Sequence, residues 1–594
     1  MSARPSPQLA AIGAARRVVA GHLAASDYRD CVEAAALLHT PARLHDAVDL
    51  WNLSAVVIAA SFGLLDQART EEAELRAQAA LAGEADLALD GADAESVLVW
   101  CTAAGEWCER NGLDEAFARL SARAAEADPA APAWIRVHWR IADAWHHESF
   151  GRFGGVAYRL AAAGEIAAAA ADPGLAIVVA LKQARLALAR ATPSQALAQA
   201  DEVEAGIAPG AALLWRADIA DVRARAALAQ GRFTVALHQS RLCLGLAQQA
   251  GATPAYTVTY RLNEAYALLG LGATDEAVTL VQRLAAVAMP VHIQQRTELL
   301  ATLFALARDD RGGRWGAVQR QTLVGAVRRL RELEWTGALV LLPEVVARLW
   351  ARALEADIET DWVRTVIRAR SLPPPEPAWP EAWPWPIRLR VLGAFEVESL
   401  TTTELAGSVR AASKPVELLL RLAVEAGLAP MSAEVLATAL WPGEGRAGRD
   451  KALETTLARL RRLLGDAGAL RMAGRRLRFD PQRVWLDRSA VERLLDVIDA
   501  RVGNDTAAPD VTPMWQEVLR LWRGPLLADA GSDDAVPPWL RTERTRLRQR
   551  LATSLIRSHA VAGERARRLH AIAADPGLAE WLPHAGTTAV SPHR

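Results

Sequence analysis

The sequence predicts a mainly α-helical protein in which an α-helical repeat solenoid is followed by a small α+β domain and a short helical domain. Three observations predict this. Ala, Leu and Arg, all good helix formers, dominate a chain that is 51% hydrophobic, while β-branched residues are few. Short breaks recur about every 40 residues over the first two thirds of the chain. Beyond a proline-dense run the apolar period changes from that of a helix to that of a strand. At 594 residues the chain needs several cores, since single domains rarely grow past about 250 residues.

Residues 1–370 read as helix after helix, with breaks near Gly63, Gly112, Gly151, Thr192, Gly231, Gly272 and Gly313. Around several of these the text itself repeats, as in Asn111-Gly-Leu-Asp-Glu-Ala116, Gln230-Gly-Arg-Phe-Thr-Val-Ala236, Leu271-Gly-Ala-Thr-Asp-Glu-Ala277 and Gly313-Arg-Trp-Gly-Ala317. Gly suits the tight inter-helix turn, and the Ala that follows suits close helix approach. A helix pair of this length buries its apolar face only against its neighbours, so stacking is expected. The pattern resembles the tetratricopeptide repeat, or its longer variant in MalT-like regulators, with a period nearer 40 than that repeat's 34.

Residues 371–386 carry Pro373, Pro374, Pro375, Pro377, Pro380, Pro384 and Pro386. Such density cannot continue a helix and favours an extended, semi-rigid linker. Alternating apolar and polar residues at 387–398, on both sides of Leu392-Gly393, then predict a strand or hairpin. A first helix opens at Ser413-Lys414-Pro415 and stops at Gly427; a second is capped by Ser432 and ends at Leu440-Trp441-Pro442. After the Gly-rich 443–448 a third helix is expected from Arg449 to Leu464, and a short hairpin turns at Gly474. Strands, three helices and a terminal hairpin at 387–487 make a winged helix-turn-helix.

The third helix carries the chemistry. Leu453, Leu457, Leu460 and Leu464 form a core-facing stripe, and the opposite side presents Lys451, Thr455, Ala458, Arg459 and Arg462. Guanidinium and ammonium groups at that spacing suit guanine edges and phosphates in a major groove, and Thr suits a phosphate or a thymine methyl. From Arg446 to Arg483 there are 11 basic and 4 acidic residues, in a chain of net charge −1. Double-stranded DNA is therefore expected to meet a local patch, with Arg475 and Arg476 of the hairpin turn at the adjacent minor groove. An ordinary Arg-rich hairpin tip, and a winged helix that contacts protein on a helical-repeat scaffold, are the competing readings.

The segments Leu389-Arg-Val-Leu-Gly-Ala-Phe-Glu-Val397, Lys414-Pro-Val-Glu-Leu-Leu-Leu420, Leu440-Trp-Pro442, Leu457-Ala-Arg-Leu-Arg-Arg-Leu-Leu-Gly465 and Val484-Trp-Leu-Asp487 resemble the OmpR/PhoB-type winged helix of bacterial transcriptional activators. That resemblance implies a cytoplasmic regulator in which Arg449, Lys451, Thr455, Arg459 and Arg462 meet the major groove and Arg475 and Arg476 the minor groove. It also implies that the loop carrying Trp441, Glu444 and Arg446 contacts RNA polymerase. Downstream, Leu519-Arg-Leu-Trp-Arg-Gly-Pro-Leu-Leu-Ala-Asp529 and Trp539-Leu-Arg-Thr-Glu-Arg-Thr-Arg-Leu-Arg548 are similar to the bacterial transcriptional activator domain of SARP and AfsR-like regulators. Here it is short, 488–575, with a loose tail at 576–594. The expectation is a promoter-binding regulator, an activator acting as a homodimer or on tandem sites, whose repeats sense or dock a protein or small-molecule partner.

Other chemistry finds no support. The sequence lacks the GxxxxGK[ST] phosphate loop, and His146-His147-Glu148 is not part of a metal-binding spacing, so no enzyme, cofactor or metal is expected. Cys31, Cys101, Cys108 and Cys243 lack zinc or CxxC spacing and are expected as buried thiols. The apolar stretch 50–65 is shorter than the roughly 20 residues a bilayer needs, and no signal peptide is expected. Trp100, Trp107, Trp134, Trp139 and Trp145 are expected to pack between helices, although a concave repeat surface can use some of them for a ligand.

Overall fold

The computed structural model describes residues 42–582 and a few positions before them, except 62–64, 150–152, 190–191, 208–212, 253–256, 288–290, 312–314, 340, 376–379, 401–412, 505–510 and 559–563. The protein is mainly helical, and the chain divides into two compact units, Met1–Leu372 and Pro373–Arg594.

The first unit opens with α1 (Ala47–Ser61), α2 (Gln67–Ala79), a π-helical turn at Ala80–Glu84 and α3 (Ala85–Leu89). The apolar stretch beginning at Leu50 is core, with Leu50, Leu53, Val57 and Ile58 all buried. Among the described residues no helix is long and apolar enough to cross a membrane. Helix pairs then follow: α4 (Ala94–Asn111) and α5 (Asp114–Ala127), α6 (Ala133–Ser149) and α7 (Phe153–Ala170), α8 (Pro173–Ala189) and α9 (Pro193–Gly206). They continue as α10 (Leu213–Ala229) and α11 (Phe233–Gln249), α12 (Val258–Leu271) and α13 (Thr274–Ala285), α14 (Val291–Arg311) and α15 (Ala317–Glu332), α16 (Pro343–Glu355) and α17 (Thr360–Ala369).

Local chemistry accounts for the joints. Asp93 caps α4 by accepting the Ser96 N–H at 2.7 Å. Gly112, Gly231 and Gly272 end first helices with φ of 71°, 69° and 87°, the left-handed region that a side chain resists. Thr192 precedes α9, and Gly63, Gly151 and Gly313 lie outside the described residues. Of the alanines expected at close approaches, Ala236 and Ala277 are fully buried. Ala116 is half-buried and Ala317 exposed, so the pattern weakens at the ends of the array. A close helix approach falls on Gly270, where a Cβ would sit 2.3 Å from the Phe233 ring.

In the second unit β1 (Ile387–Arg390) lies between antiparallel β2 (Glu396–Ser399) and parallel β6 (Val484–Leu486). A second small sheet has the order β3 (Met431–Ser432), β5 (Arg476–Phe479), β4 (Leu470–Ala473), all antiparallel. Between them stand α18 (Lys414–Arg421), prolonged by a π-helical turn, α19 (Ala433–Leu440) and α20 (Arg446–Leu464). The chain continues through α21 (Asp487–Asn504), α22 (Thr512–Leu521), α23 (Pro538–Arg557) and α24 (Glu564–Ala574).

Two features differ from the sequence reading. The proline-dense run is not spacer throughout: Trp383 and Trp385 are buried, the Trp385 indole N–H donates to the Pro380 carbonyl at 2.9 Å, and Glu381 pairs with Arg390 and Arg520. Aromatic burial there outweighs the extended preference of proline. The boundary expected at 487 is likewise bridged. Buried Asp487 accepts the backbone N–H groups of Val391, Leu392 and Arg488 at 2.7–3.0 Å. The Val391 carbonyl in turn accepts from the Leu527 N–H at 2.8 Å. Residues 380–398 and the C-terminal helices thus share one core.

Candidate nucleic-acid interface

The site begins with how α20 is held. Gly445 and Gly465 bound the helix, Gly465 with φ of 70°. Leu453, Leu457, Leu460 and Leu464 are buried, joined by Thr456, and α20 packs on α18 and α19. A stripe at this spacing fixes the helix's rotation, so the other side must face solvent. Lys451, Thr455, Ala458, Arg459 and Arg462 are all exposed.

Among the described residues, the side chains of Lys451, Arg459 and Arg462 make no hydrogen bond or ion pair with the rest of the protein, and neither do those of Arg446 and Arg449. This is unusual for a chain whose arginines mostly meet carboxylates, as Arg544, Arg548 and Arg550 do on α23. Cations without partners keep their full hydration, which a polyanion can replace. The Thr455 hydroxyl donates to the Lys451 carbonyl one turn back, at 3.0 Å. Its proton is committed there, so its methyl is the group it offers outward.

The remaining expected residues separate into two groups. Helix α20 begins at Arg446, one turn earlier than expected, so Arg446 belongs to its first turn and only 442–445 remain as a connecting turn. Arg449, half-buried, lies about 160° round the helix from Lys451, on the flank of Leu453, so it does not join the outward row. Glu444 is exposed and Trp441 half-buried at the end of α19. Glu444 also stands beside the positive end of α20, where a carboxylate is favoured.

The hairpin joining β4 and β5 turns through Gly474 and Arg475, with φ of 55° and 59°. Two consecutive positive values make the mirror-image turn that matches strand twist, and a non-glycine residue there costs about 1–2 kcal/mol. Arg475 reaches both carboxylate oxygens of Asp450 on α20 at 3.2 Å, and Arg476 donates to the Pro430 carbonyl at 2.9 Å. Both wing guanidiniums therefore have internal partners, which spacing alone did not reveal. The Arg475–Asp450 pair is about half exposed on each side, so it contributes no more than about 1 kcal/mol and is readily exchanged.

In the first unit, His146 bonds Asp114 at 2.7 Å and stacks on Phe117, which places it between helices. Burial lowers its basicity. Cys101, Cys108 and Cys243 are buried and unpaired; burial pushes the first two thiols up to about 12. Cys31 lies outside the described residues. Trp100, Trp107 and Trp139 are buried packing residues, whereas Trp145 is 37% exposed. Compared with protein-family models and with curated proteins, the chain matches none.

Proposed function

We propose that the chain is a DNA-binding transcriptional regulator of the activator type, in which residues 387–487 form a winged helix and α20 enters the major groove of double-stranded DNA. One observation carries the reading: a solvent-facing row of unpartnered cations, Lys451, Arg459 and Arg462, on a helix whose other face is locked by four leucines. Such a row presents donors to guanine edges and phosphates without first breaking internal ion pairs. The hairpin at Gly474 supplies a second contact at the neighbouring minor groove after Arg475 and Arg476 exchange their internal partners for phosphates. The turn 442–445, with Trp441, Glu444 and Arg446, is left for a protein partner such as RNA polymerase. In this reading the helix pairs of the first unit sense or dock a partner, and the protein works in the cytoplasm as a homodimer or on tandem sites.

Sequencing of genomic fragments retained by the purified full-length protein tests the reading. An enriched motif, bound with log affinity falling steeply against log salt, is the expected result. No enriched motif would favour a winged helix that binds protein.

Arg475→Gly separates the wing's fold from its contact. Glycine relieves the left-handed backbone but adds freedom to the unfolded chain and gives up the Asp450 pair, so stability is expected to stay within about 1 kcal/mol of the parent. DNA affinity should nevertheless fall, with a salt slope shallower by about one phosphate. Unchanged affinity at low salt would remove Arg475 from the interface.

A further inference from the structure

The first helices of successive pairs pack on one another from α4 through α6, α8 and α10 to α12. Tyr266 of α12 meets Phe304 of α14 with ring centroids 5.4 Å apart, and α14 packs back on α4. These six helices therefore close a ring, and their inward side chains face one another across an interior. Polar groups, costly to bury, gather there beside aromatic rings.

Most of those groups satisfy each other. Asp218 and Asp221 accept from Arg185 at 2.7 and 3.0 Å, Tyr260 donates to Asp218 at 3.1 Å, and Asn263 and Arg225 donate to Asp221 at 2.6 and 3.1 Å. Three residues stand apart. Lys182 holds its ammonium 4.4 Å from the centre of the Trp145 ring, and among the described residues it has no carboxylate or hydrogen-bond partner. Glu148, one turn from Trp145 on α6, has none either, although Lys182, Arg185, Arg225 and Arg370 surround it. Trp145 keeps 37% of its surface accessible, where Trp100, Trp107 and Trp139 are buried. Lys182, Arg185, Arg225 and Arg370 are matched in number by Glu106, Glu148, Asp218 and Asp221, and of these carboxylates Glu148 is the one whose ionised form burial disfavours.

We propose that this interior is a binding site for a small organic monoanion with a flat apolar body, its carboxylate on Lys182 and its body against Trp145. An ammonium with no carboxylate in direct contact supplies a charge-assisted bond to such a group, and an accessible indole supplies apolar area at little entropic cost. Glu148, which burial holds in its neutral form to a higher pH than an ordinary glutamic acid, offers a donor to the same carboxylate when protonated. The site gives chemical content to the sensing role proposed for the helix pairs and rests on that reading only for its regulatory use.

The test uses the full-length protein with 2-naphthoate and, as a charge control, 2-naphthalenemethanol, followed by calorimetry at pH 7. Naphthoate is expected to bind and the alcohol to bind at least about tenfold more weakly. Lys182→Gln, which keeps the volume, should cost naphthoate about tenfold or more while leaving the alcohol within about twofold. Trp145→Leu should weaken both. Unchanged helical circular dichroism establishes that the variants fold. Lys182 faces Arg185 on its own helix, Asp218 on α10, Glu106 on α4 and Glu148 on α6, and burial first, then Arg185, lowers its pKa to about 8. Naphthoate affinity should therefore decline as pH rises through 8. No naphthoate binding, equal binding of the alcohol, or indifference to Lys182→Gln would each overturn the site. DNA retention is measured on the same preparations, so loss of this inference with motif binding intact leaves the DNA reading standing.

Discussion

Replacing Arg459 and Arg462 together by Ala is expected to remove sequence-specific DNA binding and leave the fold untouched. Both side chains are exposed and have no internal partner among the described residues, so truncation strands nothing. Substitutions of that kind usually move stability by no more than about 0.5 kcal/mol. A bidentate guanidinium–guanine pair is worth about 1–3 kcal/mol of discrimination. The double variant should thus bind its selected motif on the order of 10²- to 10⁴-fold more weakly. Comparing that motif with a scrambled duplex by gel shift distinguishes the contacts. If the arginines reach base edges, the preference for the motif collapses toward the scrambled value. If they reach phosphates, both duplexes weaken together and the salt slope becomes shallower by about two. Wild-type affinity in the double variant, with circular dichroism unchanged, would show that α20 does not meet DNA through this face.

The parts of this molecule legible in the sequence are those governed by one element's own periodicity. The leucine stripe of α20 fixes which side chains point outward, and all five predicted outward residues are exposed. Glycines at 112, 231 and 272 mark joints because the turn itself demands positive φ. What escaped the sequence depends on partners distant along the chain. The parallel pairing of β1 with β6 joins residues almost 100 positions apart, and no local pattern encodes it. Arg449, which the resemblance places at the major groove, is half-buried on the flank of the leucine stripe of a helix that starts at Arg446. The wing arginines carry the expected charge, yet Asp450 and the Pro430 carbonyl already hold them. Trp145 is the converse case. Its spacing is that of a packing residue, yet 37% of its surface stays accessible.

Arg544→Ala is expected to have the largest effect on stability, because this guanidinium organises the turn that joins the C-terminal helices to β1. The side chain is 99% buried, and three carbonyls, those of Leu526, Leu527 and Gly531, accept from it at 2.7–2.9 Å, with Asp533 at 2.8 Å. The same turn pairs with the end of β1: the Leu527 N–H donates to Val391, the Ala528 N–H to Gly393, and the Gly393 N–H to Pro525, at 2.8–3.1 Å. Alanine would leave buried acceptors unmatched and a void where the guanidinium stood. Removing one member of a buried charged network costs about 3–5 kcal/mol, which in a unit of this size lowers the midpoint by roughly 6–20 °C. Amide exchange is the sharper readout, since the two units need not unfold together. Peptides covering 387–394 and 524–531 should lose protection in concert, whereas the helix pairs of the first unit keep theirs. DNA affinity measured near the new midpoint should fall with them, because Asp487 and the Leu527 turn clamp β1, whose partner strand β2 bonds through Ser399 to the Leu464 carbonyl at the end of α20. Protection lost only at 524–531, with 387–394 and DNA affinity unaltered, would instead mean that residues 387–487 stand as an autonomous domain and that the bonds across 487 add little.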